Sequence, residues 1–324
     1  MGKRMILSEN ILLRMAHSFR SHVVSCVFLL FCNSLFSQDF ELIKVQSAYY
    51  PMQAIDEGEV EGEIGFFEWG VQVAIPQPLK KNKNTVLIHR IGYANLRVYT
   101  EANTTFNGMI EAERYYHAIS YNLGLIQTFN PNWRLVVNIS PTLASDFGEP
   151  LSGDDLLYQA NTLVINTKRE NLKYGFGLAY TTRLGRQVFV PMGLFKYDTK
   201  KFEMDIVFPD KMNIMMKTPG NIFSYGLKAG LNGGVFNNTA EVQAASSTID
   251  EVGYSRLIIG PAITWRLKDA ININLQGGMS VGRRWEFIDL NDQVIDMAPQ
   301  PSVFIGLGLS FAPKIKNPEA GLNN

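Results

Sequence analysis

The sequence predicts an all-β fold: a transmembrane, antiparallel, up-and-down β-barrel of about 14 strands, with 12 as the alternative. Three observations carry that expectation. Apolar side chains recur with a period of two over segments of strand length, the opposite face is crowded with glycine and small polar groups, and short turns alternate with long loops. Residues 114–144 show the pattern twice around one tight turn. His117, Ile119, Tyr121, Leu123 and Leu125 share a face; after Asn130, Pro131 and Asn132, so do Trp133, Leu135, Val137, Ile139 and Leu143.

The chain has 324 residues, 46% hydrophobic and 11% aromatic, which a large soluble core would also fit. In a barrel every second strand residue faces a polar interior, and this dilutes the bulk apolar signal. The N-terminus is more decisive. Residues 23–36 (VVSCVFLLFCNSLF) are almost wholly apolar, follow Arg20 and His22, and are too short to span a bilayer as a helix. They read as a signal peptide, residues 1–37, with Met15 opening a leader of ordinary length as the expected true start. A lipoprotein reading at Cys26 is weaker because the apolar run follows that cysteine. The barrel is then expected over residues 38–311, with a short tail over 312–324.

Cys26 and Cys32 both fall in the leader, so the remaining chain has no thiol chemistry. Removing residues 1–37 takes away Lys3, Arg4, Arg14, Arg20 and Glu9, leaving 26 basic and 29 acidic residues. That slightly acidic balance argues against a nucleic-acid partner.

Along the chain, residues 41–50 read as a first strand, and the acidic stretch 56–63 as a loop, either simply solvated or touching divalent cations or lipopolysaccharide. Phe67, Trp69, Val71, Val73 and Ile75 mark the second strand; the third, 85–99, changes phase, which suggests a bulge. Loops are expected at 100–113 and 145–155, and strands at 156–167, 172–181, 187–197 and 202–208. Pro209-Asp210-Lys211 and Thr218-Pro219-Gly220-Asn221 are turns bounding a short strand. Three long strands follow, over 222–235, up to Arg266 and from Ile271, separated by a loop at 236–252 and a turn at 268–270. After a loop at 289–300, the last strand runs to Phe311. The count of 14 rests on parity, since short turns belong at one end and long loops at the other. Tyr115, Trp133, Tyr254, Trp265 and Trp285 are expected in interfacial girdles.

At YNLGLIQTF (121–129), SPTLASDF (140–147), NLKYGFGLAYTTRLG (171–185), GLKAGLNGG (226–234), YSRLIIGPAI (254–263) and GGMSVGRRWEF (277–287), the chain resembles a domain-of-unknown-function family of Gram-negative outer-membrane β-barrels. That resemblance implies fold and an outer-membrane location, and it supplies no substrate or catalytic residues. The apolar last strand ending in phenylalanine resembles the signal read by the barrel insertion machinery, although here a tail follows it.

Candidate chemistry is sparse. Only His89 and His117 follow the leader, too few for a multi-histidine metal site, and no cofactor is expected. Ser120 lies near His117 in sequence but on the opposite face, so a serine hydrolase is disfavoured and the protein is not expected to be an enzyme. The inward-facing charges are the best lead: Arg134, Lys173, Arg183, Lys228, Arg256 and Arg266, with Glu203, Asp205 and Glu68 as partners. They form either a lumen-filling network or the lining of an anion-favouring route. Arg283 and Arg284 are candidates for lipopolysaccharide phosphates at the outer rim. A passive pore or small-molecule transport barrel is expected, with a closed structural barrel or envelope-partner protein as the alternative and an outer-leaflet lipid hydrolase as a remote one.

Overall fold

A computed structural model describes residues 41–57, 60–79, 84–104, 108–239, 249–267, 270–289 and 294–313. The leader with Met15, the tail beyond Pro313, the turn at 268–269 and the side chains of 56–61 lie outside the described residues. The strands are β1 Ile43–Glu57, β2 Val60–Pro78, β3 Thr85–Thr104, β4 Gly108–Asn130, β5 Trp133–Ser145, β6 Leu156–Arg169, β7 Leu172–Thr181 and β8 Val188–Asp198. They continue as β9 Phe202–Phe208, β10 Lys211–Lys217, β11 Phe223–Asn237, β12 Ile249–Leu267, β13 Ile271–Asp289, β14 Val294–Met297 and β15 Ser302–Phe311.

Each strand pairs antiparallel with the next, and β15 pairs with β1 (Ile43 opposite Phe311), closing the sheet. β14 and β15 are successive segments of one stave: β14 pairs with the far half of β13 and β15 with its near half. The barrel therefore has 14 staves, as the turn parity predicts. Its exterior carries the outward register: Val73, Ile91, Ile119, Phe176, Ile263, Val303 and Leu307 are all exposed. Closure leaves no unpaired edge, the condition under which a sheet can sit in lipid. The near-end turns are short for local reasons. Asn130 Oδ1 accepts the N–H groups of Asn132 and Trp133, both at 3.0 Å, and so shapes the β4–β5 turn.

At the far end the strands outrun the expected loops. Residues 56–57 and 60–63 form ladder, as do 100–104 and 108–113, because the paired sheet continues past its apolar band. The bulge expected in β3 is absent, and both of its ladders are continuous. The apparent phase change has another cause. Leu96 and Val98 do face inward, into an interior that has turned from polar to apolar.

Stave lengths are very unequal, and this shapes the interior. β9 and β10 have 7 residues each whereas β3 has 20 and β4 has 23. Above the short staves, the end of β11 crosses the lumen and pairs in parallel with the end of β5, Asn237 opposite Ser145. Asp146 N–H donates to Asn237 O at 3.2 Å, Thr239 Oγ1 donates to Asp146 at 2.7 Å, and Tyr116 Oη donates to Asn238 at 3.1 Å. Above that crossing only nine staves (β1–β5, β11–β13 and β14) remain in the ring, which closes where Ile55 bridges Pro299. A ring of about eight strands is narrow enough for side chains to fill. Tyr50, Phe66, Tyr116, Phe236, Tyr254 and Trp285 fill it, with Phe66 and Trp285 ring centroids 5.4 Å apart and Tyr116 and Phe236 5.3 Å apart.

Tyr254 and Trp285 are thus core residues and not part of an interfacial girdle, whereas Tyr115, Trp133 and Trp265 do stand exposed on the outside. The cause at Trp285 is a bulge. Ser255 opposes Arg284 but Leu257 opposes Val281, so β13 carries one extra residue, and Gly282 takes φ 58° to accommodate it. The parity flips there, and Arg283 and Trp285 turn inward.

Two predictions follow from the crossing and its plug. Trp285→Ala should cost about 3–5 kcal/mol of unfolding free energy in lipid vesicles, and Trp265→Ala, at a side chain 40% exposed, clearly less; equal costs would contradict a packed centre. The second concerns Asp155, in the β5–β6 loop, which accepts Ser152 N–H at 2.7 Å and the Asn237 amide at 2.8 Å. Burial raises its carboxyl, but these bonds and one from the Ser145 hydroxyl outweigh burial and hold it below the usual carboxylate range. A depressed folded value stabilises above the unfolded pKa of about 3.9 and is lost as pH falls through the folded one. Hydrogen-exchange protection of the Asp146 amide should therefore collapse on acidification in the wild type, and be weak at every pH in Asp155→Asn; a pH-independent wild type would contradict it.

Candidate functional site

The inward register predicted from alternation holds for Arg134, Lys173, Glu203, Asp205, Lys228, Arg256 and Arg266, since each opposes inward partners on the neighbouring staves. The structure does not bring them to one place. Arg256 lies within the plug, its guanidinium 3.7 Å from the Tyr50 ring centroid, and pairs with Glu68, which also accepts from Asn232 at 2.8 Å. A guanidinium this deep, with its side chain 2% exposed, needs that carboxylate. It does not line a water-filled channel.

Nearer the short turns the charges form a lattice across β8–β12. Asp205 takes Lys211 at 2.7 Å and Lys196 at 3.3 Å, while Glu203 takes Lys217 at 3.3 Å and Arg266 at 3.6 Å. Arg266 also donates to Ser224 Oγ at 2.7 Å and Asn221 Oδ1 at 2.9 Å. Lys228 donates to Asn274 at 3.2 Å. Arg134 and Lys173 make no ion pair among the described residues, so the excess cationic charge gathers near β5 and β7.

Arg283 is not at a rim. It is 5% exposed, donates to Gln300 O at 2.8 Å and lies 5.2 Å from the Phe66 ring centroid, for the reason the bulge supplies. Arg284, next to it in sequence, does point outward and sits 3.8 Å from Glu286. His117, on the outer wall, shares a hydrogen bond of 2.7 Å with Tyr93 Oη and stacks on Phe147 at 5.8 Å. Ser120 is on the other face, as expected. Ser145, which shares the face of His117, is 1% exposed and accepts Phe147 N–H at 3.2 Å.

A cavity of about 210 Å³ lies inside the wall of the short staves, beneath the crossing. Asn122 of β4, Asn138 and Ser140 of β5, Gln159 and Asn161 of β6 and Thr181 of β7 supply its polar side. Val190, Met192, Leu184 and Pro209 supply its apolar side. Of the predicted lumen residues only Arg183 borders it, paired with Asp210 at 3.0 Å. Alternation places the carboxamides inward but cannot show that they converge, because they come from three staves.

The β7–β8 connection, residues 182–187, forms the lid of this cavity. It lies flat against the tall β11–β12 wall, where a Cβ on Gly253 would stand 2.3 Å from Gly185 O and one on Gly233 2.2 Å from Arg183 O. Only glycine permits so close an approach. Arg183 Nη1 donates to Leu231 O at 3.3 Å, and Arg186 grips both Glu286 oxygens at 3.1 and 3.0 Å. Glu286 is itself 2% exposed, so the lid is tied to a buried carboxylate.

Comparison with solved structures finds distant likenesses. The NanC porin covers 83% of this chain and 98% of its own at 6% identity, with a TM-score of 0.37. Outer membrane phospholipase A of Escherichia coli covers 85% and 97% at 8% identity, with a TM-score of 0.34. The translocator domain of the autotransporter NalP of Neisseria meningitidis covers 91% and 97% at 9% identity, with a TM-score of 0.31. No curated protein matches the chain. A family model does, over residues 38–310, nearly the whole of the expected mature barrel, and the chain belongs to that family, described as Domain of unknown function (DUF6268).

Proposed function

We propose that this protein is an outer-membrane barrel that takes up a small polar solute in the cavity beneath the β7–β8 lid and passes it beside a sealed centre. The observation that carries this reading is the division of the lumen at the crossing. One side is filled with aromatic rings, and the other keeps a polar cavity under a lid held by side chains. In this reading the near end faces the periplasm, the long far-end hairpins face outward, and lipid, lipopolysaccharide and the barrel insertion machinery are the surroundings and biogenesis partners. Arg284 keeps its proposed role toward lipopolysaccharide phosphates, and Arg283 does not. Arg134 and Lys173, which make no ion pair among the described residues, give the near mouth a preference for anions. No catalytic role is proposed for any residue. The second reading, a closed structural barrel, is favoured by the same plug.

Planar-bilayer recordings separate the two. The wild type should show small, intermittent conductance, and Glu286→Gln, which removes the charge that holds Arg186, should raise the open fraction several-fold. Arg134→Ala should weaken anion selectivity, whereas Arg256→Ala should leave it unchanged. A large steady conductance indifferent to Glu286→Gln would show that the centre is open. No current from any variant would leave the structural barrel as the reading.

A further inference from the structure

We infer that the ligand of the cavity is an uncharged, polyhydroxylated molecule of about hexose size, an inference that rests on reading the cavity as a solute site. The polar side is built from four carboxamides and two hydroxyls, groups that both donate and accept. Each amide is already fixed through one of its two ends. Asn138 Nδ2 donates to Asn161 Oδ1 at 2.8 Å, Arg90 Nη1 donates to Asn122 Oδ1 at 3.0 Å, and Thr181 Oγ1 donates to Gln159 Oε1 at 3.5 Å. Among the described residues no hydrogen bond engages the opposite end of each: the NH₂ groups of Asn122, Asn161 and Gln159, and Oδ1 of Asn138. Donors therefore alternate with an acceptor along one wall. A hydroxyl satisfies either kind, and a row of hydroxyls satisfies them in any order.

Charge points the same way. Arg183 and Asp210 cancel one another, no other charged side chain among the described residues lines the cavity, and Arg90 at its edge is engaged with Asn122 Oδ1. A carboxylate or phosphate would face Asn138 Oδ1 and Asp210 with no cation free to receive it, and an ammonium would meet the three amide donors. Either ion would lose hydration without an equivalent partner. The facing wall of Val190, Met192, Leu184 and Pro209 suits the C–H face of a ring or a folded polyol chain. A cavity of about 210 Å³ has room for one such molecule.

The test uses the refolded, full-length mature barrel in detergent and four probes of similar size: glucose, mannitol, glucuronate and glucosamine. Saturation-transfer NMR should report binding of glucose or mannitol, with glucuronate and glucosamine roughly tenfold weaker or undetectable, the cost of about one unmatched polar group. Asn138→Leu should abolish the neutral signal, and Gln159→Leu, a milder change at a half-buried position, should weaken it. Lys200→Ala, exposed between β8 and β9 and away from the cavity, should leave it intact. Tighter binding of glucuronate or glucosamine, equal binding of all four, or neutral binding that survives both cavity variants would overturn the inference. If the barrel conducts under its lid yet shows no preference for the neutral probes, the ligand class alone is wrong. If it neither conducts nor binds any probe, the solute-site reading falls with it.

Discussion

The interior depends on one cross-barrel contact, the parallel pairing of Asn237 at the end of β11 with Ser145 at the end of β5. A 14-stave barrel encloses more space than its own side chains can fill. Bringing two distant staves together above the short β9–β10 hairpin reduces the far end to a nine-stave ring, and rings of that girth pack solid. The polar atoms of the contact are matched: Asp155 and Asp146 take the donors of Asn237 and Thr239, and Asn238 takes the Tyr116 hydroxyl. Buried polar groups carry a cost unless they are paired, and paired groups fix register.

Packing follows from that constraint. With the ring narrowed, Phe66, Tyr116, Tyr254 and Trp285 reach one another across it, and Arg256 is enclosed among them with Glu68 as its counter-charge. The staves left outside the ring end lower, so the space they bound is not filled from above. It becomes a side chamber with carboxamides on one wall, and the β7–β8 lid reaches across to the tall wall because the β9–β10 hairpin between them is too short to obstruct it.

Much of the barrel was legible in the sequence. Strict alternation in β7, β12 and the near half of β13 gave faces and register, short turns against long loops with Pro209-Asp210-Lys211 as a turn gave parity, and parity gave the number of staves. The inward charges followed from the same periodicity. What was not legible depends on contacts between residues far apart in the chain. The ladders at 56–57 and 60–63 and at 100–104 and 108–113 look like loops because ladder beyond the apolar band needs no apolar stripe. Leu96 and Val98 look out of phase because the interior changes character around them, and Arg283 and Trp285 are misplaced by a one-residue bulge at Gly282. The amide chamber could not be read at all, since Asn122, Asn138 and Asn161 become neighbours only through the β4–β5 and β5–β6 registers.

The central claim is that β5 and β11 meet across the lumen, and a cross-link measures it directly. Residues 33–324 contain no cysteine, so with Cys26 and Cys32 replaced by serine a Ser145→Cys/Asn237→Cys pair can be followed by gel mobility in intact membranes without background. Cα atoms of directly paired residues fall within the roughly 4.4–6.8 Å over which a disulfide forms. This pair should oxidise as fully as a control pair on adjacent staves, Asn237→Cys with Glu251→Cys. Complete oxidation of the control with none between positions 145 and 237 would mean that the staves stand apart, the far end is open, and the plug and side chamber do not exist.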